Sequence, residues 1–352
     1  MNRLATILSA AILATCAFAP HVLAQALVKD GEEIADAKLM AAAKAEGRVD
    51  IYGTYPSESL RSVLDQFKED TGLALDYVRL PTSRMYDRVI AEFAAGRLEA
   101  DYVDLTDLQL IKGWMERGIL AEHKVPAHDK IAANLRDDRG RWYYIVRPIQ
   151  VIAVNTEMLK EADYPKAWRD LLNPKYKGLI GMPHLDAGGS ALALYAFWRN
   201  KVGPDSWKQL AANEPRIQAT AIPVQNDLQR GRTSIATVGA AGMLQMIGAQ
   251  KAPIKIIIPE EGLVAFGAMG NVSATAKHPN AAKVWVNYVT SKYGSTLMSK
   301  TGSYGTHMDA PAPQGAGYIF PPQDQVFTLD IDTWSKIVEN YPQEWRAAFE
   351  RK

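Results

Sequence analysis

The sequence predicts an α/β protein of two lobes, and three observations carry that expectation. From Val49 onward short apolar strands alternate with amphipathic helices. The alternation stops at one long run rich in Tyr, Ile and Val, then resumes, so that a second α/β block is inserted into the first. The chain has 352 residues, 47% hydrophobic and 22% charged, which is enough for two cores and too apolar for a disordered or fibrous protein.

The first segment is "MNRLATILSAAILATCAFAPHVLA", residues 1–24, with one positive charge at Arg3, an apolar stretch from Leu4 to about Phe18, and small residues at Val22 and Ala24. That is the layout of a cleaved export signal, cut near Ala24. "LATC" weakly resembles a lipoprotein box, but the apolar run continues past Cys16. No other segment approaches the roughly 18 to 20 unbroken apolar residues of a membrane span. Cys16 is the only cysteine, so a chain cut at Ala24 has no disulfide, thiolate metal site or cysteine nucleophile. Loss of Arg3 takes Lys+Arg from 40 to 39 against 39 Asp+Glu, and no basic run remains to suggest nucleic acid or anionic lipid.

"VDIYGTY" reads as a strand, followed after Pro56 by a helix with Leu60, Val63, Leu64 and Phe67 on one face. "TGLALDYVRL" is the next strand, starting past the helix-stopping Gly72. Pro81 leads into "TSRMYDRVIAEFAAG", with Ser83 as N-cap and Gly96 as stop. "ADYVDLTD" and "LQLIKGWMERG" complete the third strand–helix unit. The run "GRWYYIVRPIQVIAVNT" is too long for one compact strand and reads as a strand pair passing between lobes. The second block runs from "KAWRDLL" to "AAGMLQMIGAQ", and "IKIIIPEEGLVAFG" crosses back. Residues 25–148 and 260–352 are therefore expected to form one lobe and 149–259 the other. Gly302 to Pro322, dense in Gly and Pro, is expected to wrap a lobe or approach a cleft, and the chain ends in an amphipathic helix interrupted at Pro342.

In an open α/β sheet ligands bind outside the carboxyl ends of the strands, where the first N–H groups of the helices lack partners and favour anions. Four such junctions stand out. "GTYPSES" offers Thr54, Tyr55 and Ser57, with Glu58 opposing an anion. "PTSR" offers Ser83 and the fork of Arg84, suited to a carboxylate or phosphoryl group. "DAGGS" offers Gly189 and Ser190, where glycine permits close backbone approach. Each also reads as an ordinary turn and cap. The fourth, in "RTSIATVGAAGMLQM", is bare: Gly239, Ala240, Ala241 and Gly242 carry nothing larger than a methyl. Gln225 and Asn226, at another expected helix start, add neutral hydrogen bonds. Arg147, in the apolar "VRPIQ", needs a partner, either a structural carboxylate or an anionic ligand.

Of the five histidines beyond residue 24, His123 and His278 are expected at the surface. No H-E-x-x-H, G-x-S-x-G, phosphate loop or dinucleotide fingerprint is present. His184, Asp186 and Ser190 form the only loose acid, base and hydroxyl grouping. No catalytic residue, metal ligand or cofactor is assigned.

The order of "FKEDTGLALDYV", "AEFAAGRLEADYVDL", "ERGILAEHKVP", "WYYIVRPIQVIAVNTEML", "AWRDLLNPKYKGLIGMPHLDAGGSALAL" and "KHPNAAKVWVNYVTSKYGSTLMSKTGSYGT", from about Val49 to Pro311, resembles one family. It is that of the periplasmic substrate-binding proteins of ATP-driven (ABC) importers, in the type 2 group of ferric-ion, phosphonate, sugar-phosphate, thiamine and polyamine binders. The resemblance implies a two-lobed, exported monomer of the periplasm that closes by a hinge on one small-molecule solute and docks on a membrane permease. Ferric-binding members carry adjacent tyrosines at the fourth junction and a histidine after the first strand; this sequence has neither. Tyr143 and Tyr144 are adjacent, but on a strand they point to opposite faces. The expected solute is a small organic anion: a carboxylate, phosphonate or phosphate ester. A ferric-ion or polyamine receptor of the same fold is the alternative, and an exported hydrolase a more remote one.

Overall fold

The computed structural model describes residues 25–350, with backbone alone at residues 57–59 and 332; the expected export signal, residues 1–24 with Cys16, lies outside the described residues. A hairpin of β1 (Leu27–Lys29) and β2 (Glu32–Ala35) precedes α1 (Ala37–Glu46). Three strand–helix units follow: β3 (Arg48–Gly53) with α2 (Ser57–Thr71), β4 (Ala74–Arg79) with α3 (Thr82–Ala94), and β5 (Tyr102–Leu105) with α4 (Leu108–Glu116). After the long β6 (Tyr143–Asn155) come β7 (Ile180–Pro183), α5 (Gly189–Lys201), α6 (Ser206–Ala212), β8 (Arg216–Gln218), α7 (Ala221–Gln229), β9 (Ile235–Gly239) and α8 (Ala240–Gln250). The chain returns through β10 (Ile254–Ile257), β11 (Val264–Ala265) and β12 (Ala268–Val272), then α9 (Pro279–Thr290), α10 (Lys292–Lys300) and β13 (Ser303–Tyr304). A small hairpin, β14 (Gln314–Gly315) with β15 (Tyr318–Ile319), and α11 (Ile331–Phe349) end it.

The main sheet has the order β4-β3-β5-β12-β6-β9-β7-β8, with β10, β11 and β13 also on β6. β3 is parallel to β4 and β5, and β7 is parallel to β8 and β9, while β12 and β6 run antiparallel to their neighbours. The expected α/β class holds, with a mainly parallel sheet in each half.

The expected strand pair at the first crossing is one continuous strand of 13 residues, β6. It can be so long because it serves both halves in turn. Tyr143 to Val146 pair with β12, Gln150 to Val154 with β9, and Ile152 to Asn155 with β10. Pro148, which has no N–H to give a ladder, falls where the neighbour is only the two-residue β13. The second crossing, β10 and β11, does run antiparallel along it.

The Gly302–Pro322 stretch packs over α8: Tyr304 and Phe320 share a buried cluster with Ala240, Met243 and Leu244. Gly302 has φ 82°, and a Cβ there would lie 2.5 Å from Leu244 Cδ1, so only glycine fits. α11 is continuous through Pro342, against the expected interruption. Its contacts reach both halves. Trp334 stacks on Phe266 at 4.2 Å and donates its indole N–H to Asp107 at 3.0 Å, while Tyr341 meets Trp207 and Trp345 meets Tyr195.

Candidate ligand cleft

Because β3, β4 and β5 are parallel, the starts of α2, α3 and α4 share one edge of the sheet; β7 and β9 place α5 and α8 in the same way. Direct contacts link these starts into a ring. Thr82, opening α3, shares a 2.6 Å hydrogen bond with Thr106, just past β5. The Thr106 carbonyl abuts Gly189, opening α5, so closely that a Cβ there would sit 2.1 Å from it. Ser190 donates to the Phe266 carbonyl at 2.8 Å, and the preceding β11 pairs with Gln150 of β6. Gln150 is also the partner of Gly239, at the start of α8. Ala241 lies against Gly302, and the next residue, Ser303, meets the Tyr55 hydroxyl at 3.2 Å. Thr54 closes the ring on Asp104, two residues before Thr106.

Within the ring the expected residues take different parts. Thr54 is buried and gives both its N–H and its hydroxyl to Asp104 Oδ1, each at 2.8 Å. Tyr55 is buried, and its carbonyl accepts from the Tyr77 hydroxyl at 2.8 Å. Ser57 is the first residue of α2, but Pro56 stands at the N-cap, so neither Ser57 nor Ser59 holds the cap position; the Ser57 side chain lies outside the described residues. α3 likewise begins one residue before the expected Ser83 cap, because Pro81, extended at φ −60° and ψ 149°, already occupies the N-cap. Ser83 and Arg84 are exposed in its first turn, and Arg84 makes no ion pair among the described residues. Ser190 does not cap α5: Gly188 does, at φ 139°, where a side chain would be strained. Gly239 and Ala240 are the last strand residue and the first helix residue, as expected.

Two expectations fail on geometry. Gln225 and Asn226 are not at a helix start, since α7 begins at Ala221 and tolerates Pro223 in its first turn. Gln225 instead lays its amide over Gly242, where a Cβ would be 2.6 Å from its Nε2. Arg147 lacks the expected structural carboxylate. It is 1% exposed and donates to Gln323 Oε1 at 2.6 Å, Thr328 Oγ1 at 3.1 Å and the Gly305 carbonyl at 3.3 Å. No carboxylate is among these partners, and burial lowers its pKa to about 10.

Among the residues on or beside the ring that the sequence did not signal, three bear on its charge and closure. Arg79 ends β4, exposed, with Nε 3.4 Å from the Thr54 carbonyl; a cation at the carboxyl end of a parallel strand was the available signal. Thr106 joins the halves. Asp104 is fully buried, its Oδ2 has no partner among the described residues, and burial raises its pKa to about 7 against the opposing pull of the two Thr54 bonds.

Four of the five helix starts on this edge share one property: among the described residues α2, α3, α5 and α8 have no side-chain cap, nor do α6 and α7, whereas α4 is capped by Asp107. Elsewhere α1, α10 and α11 are capped by Asp36, Ser291 and Asp330, and the first N–H groups of α9 go to Glu46.

Other chemistries are poorly served. The hydrolase grouping does not assemble: His184 Nδ1 accepts from the Asp186 N–H, while the Ser190 hydroxyl is turned to Phe266. Tyr143 and Tyr144 have separate surroundings, Tyr143 bonded to His128 Nδ1 at 2.8 Å and Tyr144 packed against Trp142 and Phe266. Among the described residues, the group close enough to share a metal ion is Asp50, Asp101 and His278. It lies at the amino ends of β3 and β5, away from the ring, and Asp101 already accepts from the Asp50 and His278 N–H groups and meets His278 Nδ1 at 2.8 Å. His278 and His123, the latter bonded to Asn287 at 2.7 Å, are thus partly buried and partnered instead of at the surface.

Known proteins of the same fold are numerous. The periplasmic binding protein AfuA of Actinobacillus pleuropneumoniae, solved with fructose-6-phosphate bound, is 20% identical with a TM-score of 0.69, over 87% of this chain and 99% of its own. Iron-bound HitA of Pseudomonas aeruginosa is 16% identical with a TM-score of 0.69, over 86% and 99%. An uncharacterised protein of Haemophilus influenzae is 25% identical over 329 residues, 87% of this chain and 93% of that one. The fold is therefore that of the two-lobed periplasmic binding proteins of ABC importers, as the sequence led us to expect. Residues 100–329 match the family model of the bacterial extracellular solute-binding proteins, and this chain belongs to that family.

Proposed function

We propose that this protein is a periplasmic receptor for a small organic anion, a carboxylate, phosphonate or phosphate ester, which it captures by hinge closure and delivers as a monomer to an ABC permease. The observation that carries the reading is the ring of contacts around four helix starts, none of them capped by a side chain among the described residues. Unsatisfied N–H groups at a helix start are a ready anion site. Exposed Arg79 and Arg84 on the same edge add positive charge, and Asp104, which holds Thr54, is pushed toward its neutral form by burial. We take the lobes to be 25–148 with 260–352, and 149–259, so that the Thr106–Gly189 contact joins one to the other. The sugar phosphate bound to AfuA makes phosphate esters the first class to try. A ferric site through paired phenolates has no residues here, since the start of α8 carries only glycine and alanine.

Native mass spectrometry of the purified protein, followed by calorimetric titration, tests this. The panel is fructose 6-phosphate, inorganic phosphate, phosphonoacetate, citrate, spermidine and ferric ion. One anion should bind at one-to-one stoichiometry without turnover, and Arg84→Ala should weaken it. Binding of spermidine or ferric ion alone would overturn the reading.

A further inference from the structure

The mechanism of capture leaves one buried titratable group without a task. Asp104 sits at the carboxyl end of β5 with no exposure, and Oδ1 receives both donors of Thr54 while Oδ2 receives none among the described residues. No basic side chain pairs with it among the described residues; Arg79, the nearest cation on this edge, directs its Nε to the Thr54 carbonyl. A carboxylate left bare in this way is costly to ionise, because burial penalises the charged form and only one of its oxygens is compensated. The groups facing it do not supply a counter-charge. Tyr77 from β4 and Tyr102 from its own strand are both pushed up by burial and stay neutral. β12 offers Gly270 opposite Asp104, and its other residues, Ala268 to Val272, are not titratable.

This carboxyl group holds the segment that leads into α2, Thr54 being two residues before the N-cap Pro56. A negative charge there works against an anion at the α2 start; a neutral acid does not. We propose that Asp104 is the proton-linked anchor of the cleft: it binds a proton as an anionic solute occupies the start of α2, so that capture is coupled to proton uptake. Asp104 is a positioning residue that acts through Thr54, and the inference rests on the anion reading above. The proton comes from solvent and stays on the carboxyl oxygen, with no bond broken elsewhere.

Coupling makes affinity fall with rising pH. Above about pH 7 the Kd should rise by up to tenfold per pH unit, for as long as the solute-bound form keeps the proton and the free form has lost it.

The test has a ligand-free arm and a binding arm. Without ligand, urea unfolding of the wild type and Asp104→Asn is compared from pH 5 to 8.5. The folded pKa lies above that of an unfolded aspartate, so the contribution of Asp104 is fully present below about pH 4 and lost as pH rises to about 7. The wild type should show that loss relative to the variant. Carboxyl carbon-13 NMR of the wild type should show one aspartate titrating near neutrality, which keeps the test open if the variant does not fold. In the binding arm, fructose 6-phosphate and citrate are titrated at pH 8 in two buffers of different ionisation heat. The wild type should take up as much as one proton more than Asp104→Asn, and the difference between the two proteins removes the titration of the probe itself. An aspartate that titrates near 4, or equal proton uptake by both proteins, overturns the coupling. Failure of every anion to bind while the NMR titration is as expected overturns the anion reading instead, and the coupling with it.

Discussion

Gly189→Ala separates the closure contact from ordinary helix energetics. No positive φ constrains Gly189, and in the first turn of α5 alanine is the better helix former by up to about 1 kcal/mol. Considered within its own helix, the substitution stabilises. Across the ring it does the reverse. The new Cβ would stand 2.1 Å from the Thr106 carbonyl oxygen and 2.8 Å from Phe266 Cε1, where real Cβ contacts essentially never fall below 3.0 Å. The first obstacle is backbone and cannot rotate away, so α5 and the Thr106 turn must part by about 0.9 Å. Overpacking of this kind costs about 1–3 kcal/mol. If the contact belongs to the closed form, the cost falls on closure, and the Kd rises roughly 5- to 150-fold at 1.4 kcal/mol per decade. Thermal unfolding without ligand and calorimetry with the tightest anion of the panel give the two readings. Unfolding temperature should hold or rise while affinity falls. Unchanged affinity would show that Thr106 and Gly189 do not meet in the bound state, and would refute the ring as a picture of the closed cleft.

Gly53→Ala would drive its methyl into the Tyr77 hydroxyl and break the Tyr77–Tyr55 hydrogen bond; unfolding free energy should drop by about 1–3 kcal/mol in urea. Arg147→Met leaves Gln323 Oε1 and the Gly305 carbonyl without their donor and should cost about 2–4 kcal/mol by the same assay. If instead it stabilises, the guanidinium is a net burden to the fold. Burial pushes the Asp70 carboxyl up, but hydrogen bonds from Lys29, Tyr288 and Gln66 more than reverse this and hold it below the usual range. Its stabilisation is therefore present at neutral pH and lost as pH falls through the folded value, below about pH 4. In acid titrations followed by circular dichroism, Asp70→Asn should be less stable than wild type at pH 7, and the difference should shrink as the pH falls below the usual carboxylate range.

The strand–helix units were legible because each depends on local periodicity: Leu60, Val63, Leu64 and Phe67 define the buried face of α2 with no help from the rest of the chain. β6 was not, because the usual length of a strand assumes that it ends with its sheet, and this one continues from one half-sheet into the other. Helix starts were missed by one to five residues wherever proline already set an extended or first-turn conformation, at Pro56, Pro81 and Pro223. Asp104 gave no signal at all. A single aspartate in "YVDL" acquires its meaning from Thr54, 50 residues earlier, and only the parallel register of β3 and β5 brings them together.

The bare "VGAAG" at the start of α8 shows how such a reading changes once neighbours are known. Ala240 is buried, Ala241 is covered by Gly302, and the room at Gly242 is taken by the amide of Gln225, which α7 delivers from its middle. The small residues are thus required by packing on two sides. Their effect on chemistry is still specific. Gln225 supplies a neutral amide beside an uncapped helix start, where a phenol at 242 would have to displace it. A neutral donor beside free N–H groups suits an oxygen-rich anion and does nothing to neutralise a trivalent cation. Gly242→Tyr therefore has to expel Gln225 before it can offer a ligand to iron. It should lower affinity for the anion without producing the visible charge-transfer band of an iron–phenolate pair; appearance of that band would mean that this junction is one substitution away from a metal site.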